Sequence, residues 1–146
     1  MSLRKEIKFR TVELVDAKLI YEWRNDSLTR KMSLNSEKID YVNHLHWFNS
    51  ALNNNKVNIY ICIIGLEEVG SIRVNTINNI NKLNWMVSPN HRGKNYGFIM
   101  LNEFLIEHKG KYIAEIKEEN IASINLATKA GMKVYKKENA ILSLGI

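Results

Sequence analysis

The chain has one proline, one cysteine and no apolar run longer than six residues, and each scarcity excludes something. A helix that crosses a bilayer needs about 20 consecutive apolar residues. The longest run here, Ile59-Tyr60-Ile61-Cys62-Ile63-Ile64, has the length of a buried strand. A lone Cys62 cannot form an intramolecular disulfide, and inside that run it reads as a small buried hydrophobe. The four histidines (His44, His46, His91 and His108) make no ligand pattern with cysteine or carboxylate, so no metal site is expected. Leu3 to Thr11 alternates charged and apolar residues and lacks the apolar stretch of a signal peptide, which predicts a cytoplasmic chain. Residues 1–3 read as an expression remnant and are given no role. With 146 residues and no Pro/Gly-rich linker, one domain over residues 1–146 is expected.

Basic residues, by contrast, are abundant. The net charge is +6 and the isoelectric point about 9.4. Such a balance suits nucleic acid, an anionic membrane or a phosphorylated ligand. The lysines and arginines are spread along the chain, with small clusters at Arg92–Lys94 and Lys133–Lys137, and no basic helix is interleaved with aromatics. Neither a nucleic-acid partner nor a membrane is therefore expected.

The hydrophobic pattern predicts the elements in order. Residues 7–12 alternate as a strand. Residues 16–24 are helical, with Leu19, Ile20 and Trp23 on one face. A second helix runs from Glu37 to about Leu52. Strands follow at 57–64, 69–74 and 82–87, with turns at 65–68 and at Asn78-Asn79. A third helix spans 95–108, a strand 112–116, and a fourth helix, capped near Asn120, runs to Ala130. Strands at 132–135 and 140–144 finish the chain. This is an α/β (α+β) order: a mixed, mostly antiparallel twisted sheet of about six or seven strands flanked by four helices.

The most informative stretch is Val87-Ser88-Pro89-Asn90-His91-Arg92-Gly93-Lys94-Asn95-Tyr96-Gly97-Phe98. An apolar strand stops at proline, a short basic loop with glycine follows, and an amphipathic helix begins. That layout aims free backbone N–H groups at a phosphate, and Arg92 and Lys94 add positive charge.

This loop and the later segment Asn120-Ile121-Ala122-Ser123-Ile124-Asn125-Leu126-Ala127-Thr128-Lys129-Ala130-Gly131-Met132 together resemble the two signature motifs of the GCN5-related N-acetyltransferases (GNAT). The element order is similar as well. The resemblance implies acetyl-coenzyme A as acetyl donor and direct attack by an amine. Met86, Val87, Arg92, Gly93, Lys94, Asn95, Tyr96, Gly97, Phe98, Asn120, Ser123 and Lys129 would then contact the cofactor. It implies that N–H groups from Arg92 to Phe98 hold the pyrophosphate, and that a backbone N–H near Val87 faces the developing oxyanion. Homodimers, often formed through the last strands, are a further implication. Two positions depart from the family pattern. Asn95 stands where the loop's middle glycine is usual, and asparagine is the next most tolerant residue for a left-handed turn. Ala127 stands where many members have a tyrosine acid for the leaving thiolate.

The amine must lose a proton, since a lysine-like amine has a pKa of about 10.4. The strand 83–87 carries no carboxylate in the family's glutamate position. The remaining catalytic candidates are Glu115, Asn84 acting through an ordered water, and His46. On the acceptor side, Trp23-Arg24-Asn25 and His44-Leu45-His46-Trp47-Phe48 resemble runs in two subgroups, making Trp23, Arg24, His44 and Trp47 substrate-binding candidates. One subgroup acetylates nucleotide-linked amino sugars, as in the pseudaminic-acid pathway. The other acetylates N-termini of ribosomal proteins. The leading expectation is a small amine acceptor, with an amino-sugar nucleotide among the candidates. A rival from another class is a non-catalytic acetyl-coenzyme-A-binding module, suggested by the absent tyrosine and glutamate.

Overall fold

The computed structural model describes residues 6–146. The residues set aside as an expression remnant lie outside that range. Seven strands form one sheet: β1 (Ile7–Thr11), β2 (Val57–Ile64), β3 (Glu67–Ile77), β4 (Ile80–Val87), β5 (Tyr112–Lys117), β6 (Lys133–Glu138) and β7 (Ile141–Gly145). Their order is β1-β2-β3-β4-β5-β7-β6. Every pairing is antiparallel except β4 with β5. The alternating patterns and turn residues account for the meander: Gly65 takes a positive φ between β2 and β3, and Asn78 and Asn79 do so between β3 and β4.

The helices are α1 (Ala17–Asn25), α2 (Ser27–Met32), α3 (Tyr41–Leu52), α4 (Tyr96–Glu107) and α5 (Ile121–Lys129). The expected four helices are thus five among the described residues, because residues 27–32 form a separate short helix. Asp26 starts it by accepting a hydrogen bond from the Thr29 N–H. The helix expected from Glu37 begins instead at Tyr41, where Asp40 accepts from the Asn43 N–H at 3.1 Å.

Two apolar clusters lie on the two faces of the sheet. One joins Ile72, Val74 and Leu83 of the sheet to Met100, Leu101 and Phe104 of α4. The other joins Ile59 and Ile61 to Ile20 and Trp23 of α1 and Phe48 of α3. Cys62 is fully buried, and burial pushes its thiol pKa up, as expected of an inert core residue. The parallel contact between β4 and β5 is short: only Asn81↔Tyr112 and Lys82↔Ile113 are in register. Beyond them β4 runs on to Val87 and β5 to Lys117 without pairing to each other. The strands splay, and the sheet opens into a cleft.

Candidate functional site

The cleft has a volume of about 870 Å³. Its floor is the face of β3 and β4 under α1 to α3. Opposite residues in an antiparallel pair share a face, so Ser71 with Met86, Arg73 with Asn84 and Asn75 with Lys82 form three polar or mixed rungs. Trp85, Val87, Ala114, Glu115 and Ile116 line the splay, and α4 and α5 close the other end.

At that end the loop of residues 92–95 turns through two left-handed residues, Gly93 at φ 77° and Asn95 at φ 63°, ψ 17°. Asn95 therefore does the backbone work expected of the loop's usual glycine. Its side chain makes no cap to α4, and the first turn of α4 holds no acidic residue. The leading N–H groups of α4 thus face the cleft uncapped, with the positive end of the helix dipole behind them. Gly97 is buried where α4 crosses its neighbours. A Cβ there would stand 2.9 Å from Leu126 Cδ2 of α5 and 3.4 Å from Val87 Cγ2 of β4. Arg92 does not extend freely toward the cleft: its guanidinium is bonded to the carboxylate of Asp26 and to Thr29 Oγ1 at 3.0 Å.

Just past the end of β4, Ser88 donates its N–H to the Val69 carbonyl of β3 at 2.8 Å. Successive backbone groups of a strand point to opposite edges, so the Val87 N–H is aimed at the open side toward β5. Asn120 caps α5 by accepting from the Ser123 N–H at 3.2 Å, and both residues line the cleft. Lys129 sets its Nζ 4.3 Å from the centre of the Phe98 ring, also at the cleft. Lys94 is exposed and is not part of the lining. Ala127 is fully buried, so the position carries neither a hydroxyl nor a cleft contact.

The catalytic candidates separate. Asn84 and Glu115 line the cleft. Glu115 is held by Lys82 at 2.6 Å, so its carboxylate is engaged. His46 is exposed on α3 and lies outside the lining, which removes the contact that would let it act on an acceptor there. The acceptor candidates separate as well. Arg24 and Trp47 line the cleft, while Trp23 packs in the core. His44 is buried too, 1% exposed, and reaches the cleft only through Arg24. Its Nε2–H donates to the Ala17 carbonyl at 2.8 Å, which fixes Nδ1 as the acceptor for Arg24 Nη1 at 3.2 Å. Burial, with some repulsion from Arg24, lowers the His44 pKa and keeps the ring neutral.

Arg73 was not singled out from the sequence. It shares the floor with Asn84, and its guanidinium lies 5.3 Å from the Trp47 ring centre, while that of Arg24 lies 4.4 Å from the same ring. The signal available was the run Ser71, Arg73, Asn75 alternating with Ile72 and Val74. Polar residues at every second position of a central strand mark a face that is covered yet not core.

Residues 6–133 match the model of the acetyltransferase (GNAT) domain. The chain belongs to that acetyltransferase family. No curated protein matches it. Among solved structures it is similar to a domain from Methanocaldococcus jannaschii, with 21% identity, a TM-score of 0.75 and coverage of 97% of this chain and 98% of that one. It is also similar to spermidine N-acetyltransferase from Vibrio cholerae in complex with CoA and spermine, at 15% identity and TM-score 0.82, covering 96% and 94%. A third likeness is to the aminoglycoside acetyltransferase AAC(6')-Ib in complex with coenzyme A, at 15% identity and TM-score 0.80, covering 97% and 94%. These likenesses establish the fold. Among the described residues no group of histidine, cysteine and acidic side chains could hold a metal, and no helix is long and apolar enough to cross a membrane.

Proposed function

We propose that this chain is an acetyl-coenzyme-A-dependent N-acetyltransferase acting on the primary amine of a small molecule. The observation that carries the reading is the splay of β4 from β5 ending at the uncapped start of α4. An open strand edge and a helix N-terminus at one end of a cleft of this size suit a long cofactor with a pyrophosphate. The N–H groups at the start of α4, with Asn120 at the cap of α5 and Ser123 and Lys129 within it, would hold the phosphates, and Met86 and Val87 would lie along the pantetheine arm. When bound, acetyl-coenzyme A supplies an activated acetyl thioester.

The chain's own residues have three tasks in this reading. The Val87 N–H stabilises negative charge that develops on the reacting carbonyl oxygen, a contribution of roughly 3–4 kcal/mol for one well-placed donor. The amine's proton leaves to water ordered by Asn84, because Glu115 is committed to Lys82. The buried Ala127 offers no acid, so the departing thiolate takes its proton from solvent.

For the acceptor, Arg24 and Trp47 in the cleft support a nucleotide-linked amino sugar as first candidate. A protein N-terminus is the second, and a homodimer is part of the same proposal, with sedimentation velocity as its test. Thiol release from acetyl-coenzyme A, followed across UDP-linked amino sugars, polyamines, aminoglycosides and peptide N-termini, tests the reading. Saturable release with one class supports it, and tight cofactor binding without release from any class favours a binding module.

A further inference from the structure

Arg24 and Arg73 are cleft-lining guanidiniums with no acidic partner among the described residues. Burying a charge without a counter-charge is costly unless a ligand supplies one. The two acidic residues of the lining do not serve: Glu115 is taken by Lys82, and Glu37 is exposed. Arg73 Nε is buried with no hydrogen-bond partner, although Asn84 stands opposite it on β4. Asn75 Oδ1, one rung along on the same face, is also buried and unpartnered. Burial and the nearby Arg24 bring the Arg73 pKa down to about 10, still charged at neutral pH.

The pair is also built rather than incidental. Arg24 is fixed from behind by the neutral His44, itself anchored to the Ala17 carbonyl. Both guanidiniums rest against Trp47, whose ring orients them without neutralising them. Planar forks held in this way match carboxylate or phosphate oxygens bidentately. A polycation would instead meet two fixed like charges.

Resting on the N-acetyltransferase reading, we propose that Arg24 and Arg73 form the receptor for an anionic group on the acceptor, so that the substrate is an amine that also carries a carboxylate or a phosphate. The amine is then presented toward Asn84 and Met86, which share the floor with Arg73, while the anionic end is held at Trp47.

The test uses matched amines in the thiol-release assay: an amino acid against its methyl ester, a hexosamine phosphate against the free hexosamine, and spermidine. Binding of the same amines to the coenzyme-A-loaded protein is measured by calorimetry, so anion preference is read whether or not transfer occurs. The anionic member of one pair is expected to be favoured about tenfold or more, and which pair shows it tells carboxylate from phosphate. Arg73→Met should raise KM for that acceptor about tenfold or more, with kcat nearly unchanged, and leave its uncharged partner unaffected. Unaltered coenzyme A binding by the variant shows that it is folded. Equal use and equal binding of charged and uncharged partners, or a preference for spermidine, overturns the receptor. Anion-selective binding without transfer overturns the acetyltransferase reading alone.

Discussion

Arg92 of the loop before α4 is bonded to Asp26, the residue that caps α2. One carboxylate thereby serves two elements, since it also accepts from the Thr29 N–H at 3.1 Å. The contact ties the α4 end of the cleft to the helices α1 and α2 over its floor. It also holds the Asp26 carboxyl below the usual carboxylate pKa, chiefly through the Arg92 hydrogen bond.

Asp26→Ala should lower stability by about 1–2 kcal/mol, the range for loss of an N-cap. Because the folded pKa is depressed, the Asp26 contribution is present above the ordinary carboxylate value of about 3.9 and is lost as pH falls through the folded value. Denaturant unfolding at pH 7 and again near pH 3 checks this: the gap between wild type and variant should shrink at the lower pH.

His44 acts on the same acid side of the pH profile, at a pH nearer neutrality. Its charged form is disfavoured in the folded state, so below the unfolded value of about 6.5 the unfolded chain binds more protons and stability falls with falling pH. His44→Gln should flatten the slope of stability against pH between about 5 and 6.5. An imidazole that NMR finds protonated at pH 6.5, or carrying its proton on Nδ1, would contradict the assignment of Nε2–H to the Ala17 carbonyl.

Gly97→Val should disturb the start of α4 through Leu126 and Val87 rather than by filling the cleft. Overpacking of this kind costs typically 1–3 kcal/mol. Calorimetric titration should show acetyl-coenzyme A affinity reduced about tenfold or more, with Gly97→Ala milder because the far end of Leu126 can shift.

Glu115→Gln should leave the shape of the pH–rate profile unchanged, since Lys82 already engages the carboxylate and the proton is assigned to water near Asn84. Asn84→Ala should lower kcat about 100-fold, the low end for a positioned proton-transfer group. A profile that loses its neutral-pH limb only in the Glu115 variant would restore Glu115 as the base.

Much of the fold was legible because its signals are local. The alternation at 57–64, the Asn78-Asn79 turn and the Asn120 cap each needed only neighbouring residues. Residues 27–32 were missed as a helix because Asp26-Ser27 looks like the end of α1 when it is also the beginning of α2. The end of the cleft at α4 was legible for the same reason, as strand, proline, glycine and helix start lie within twelve residues. The acceptor half was less so. Its key positions come from α1, α3 and β3, and only tertiary packing places Arg24, Trp47 and Arg73 together. The His44-to-Phe48 run pointed to this half, yet its histidines split between a buried support and an exposed surface. Arg73 was missed because its one local signal, the alternation of Ser71, Arg73 and Asn75 with Ile72 and Val74, does not say which helices cover that face.

The central claim is that the splayed cleft binds acetyl-coenzyme A and passes its acetyl group to an amine. The most direct measurement is thiol release from acetyl-coenzyme A in the presence of a panel of small amines, with the acetylated product identified by mass spectrometry. Saturable release with at least one amine is expected, with the KM for acetyl-coenzyme A raised about tenfold or more in Gly97→Val. Binding of acetyl-coenzyme A with no release above hydrolysis for any amine would contradict it.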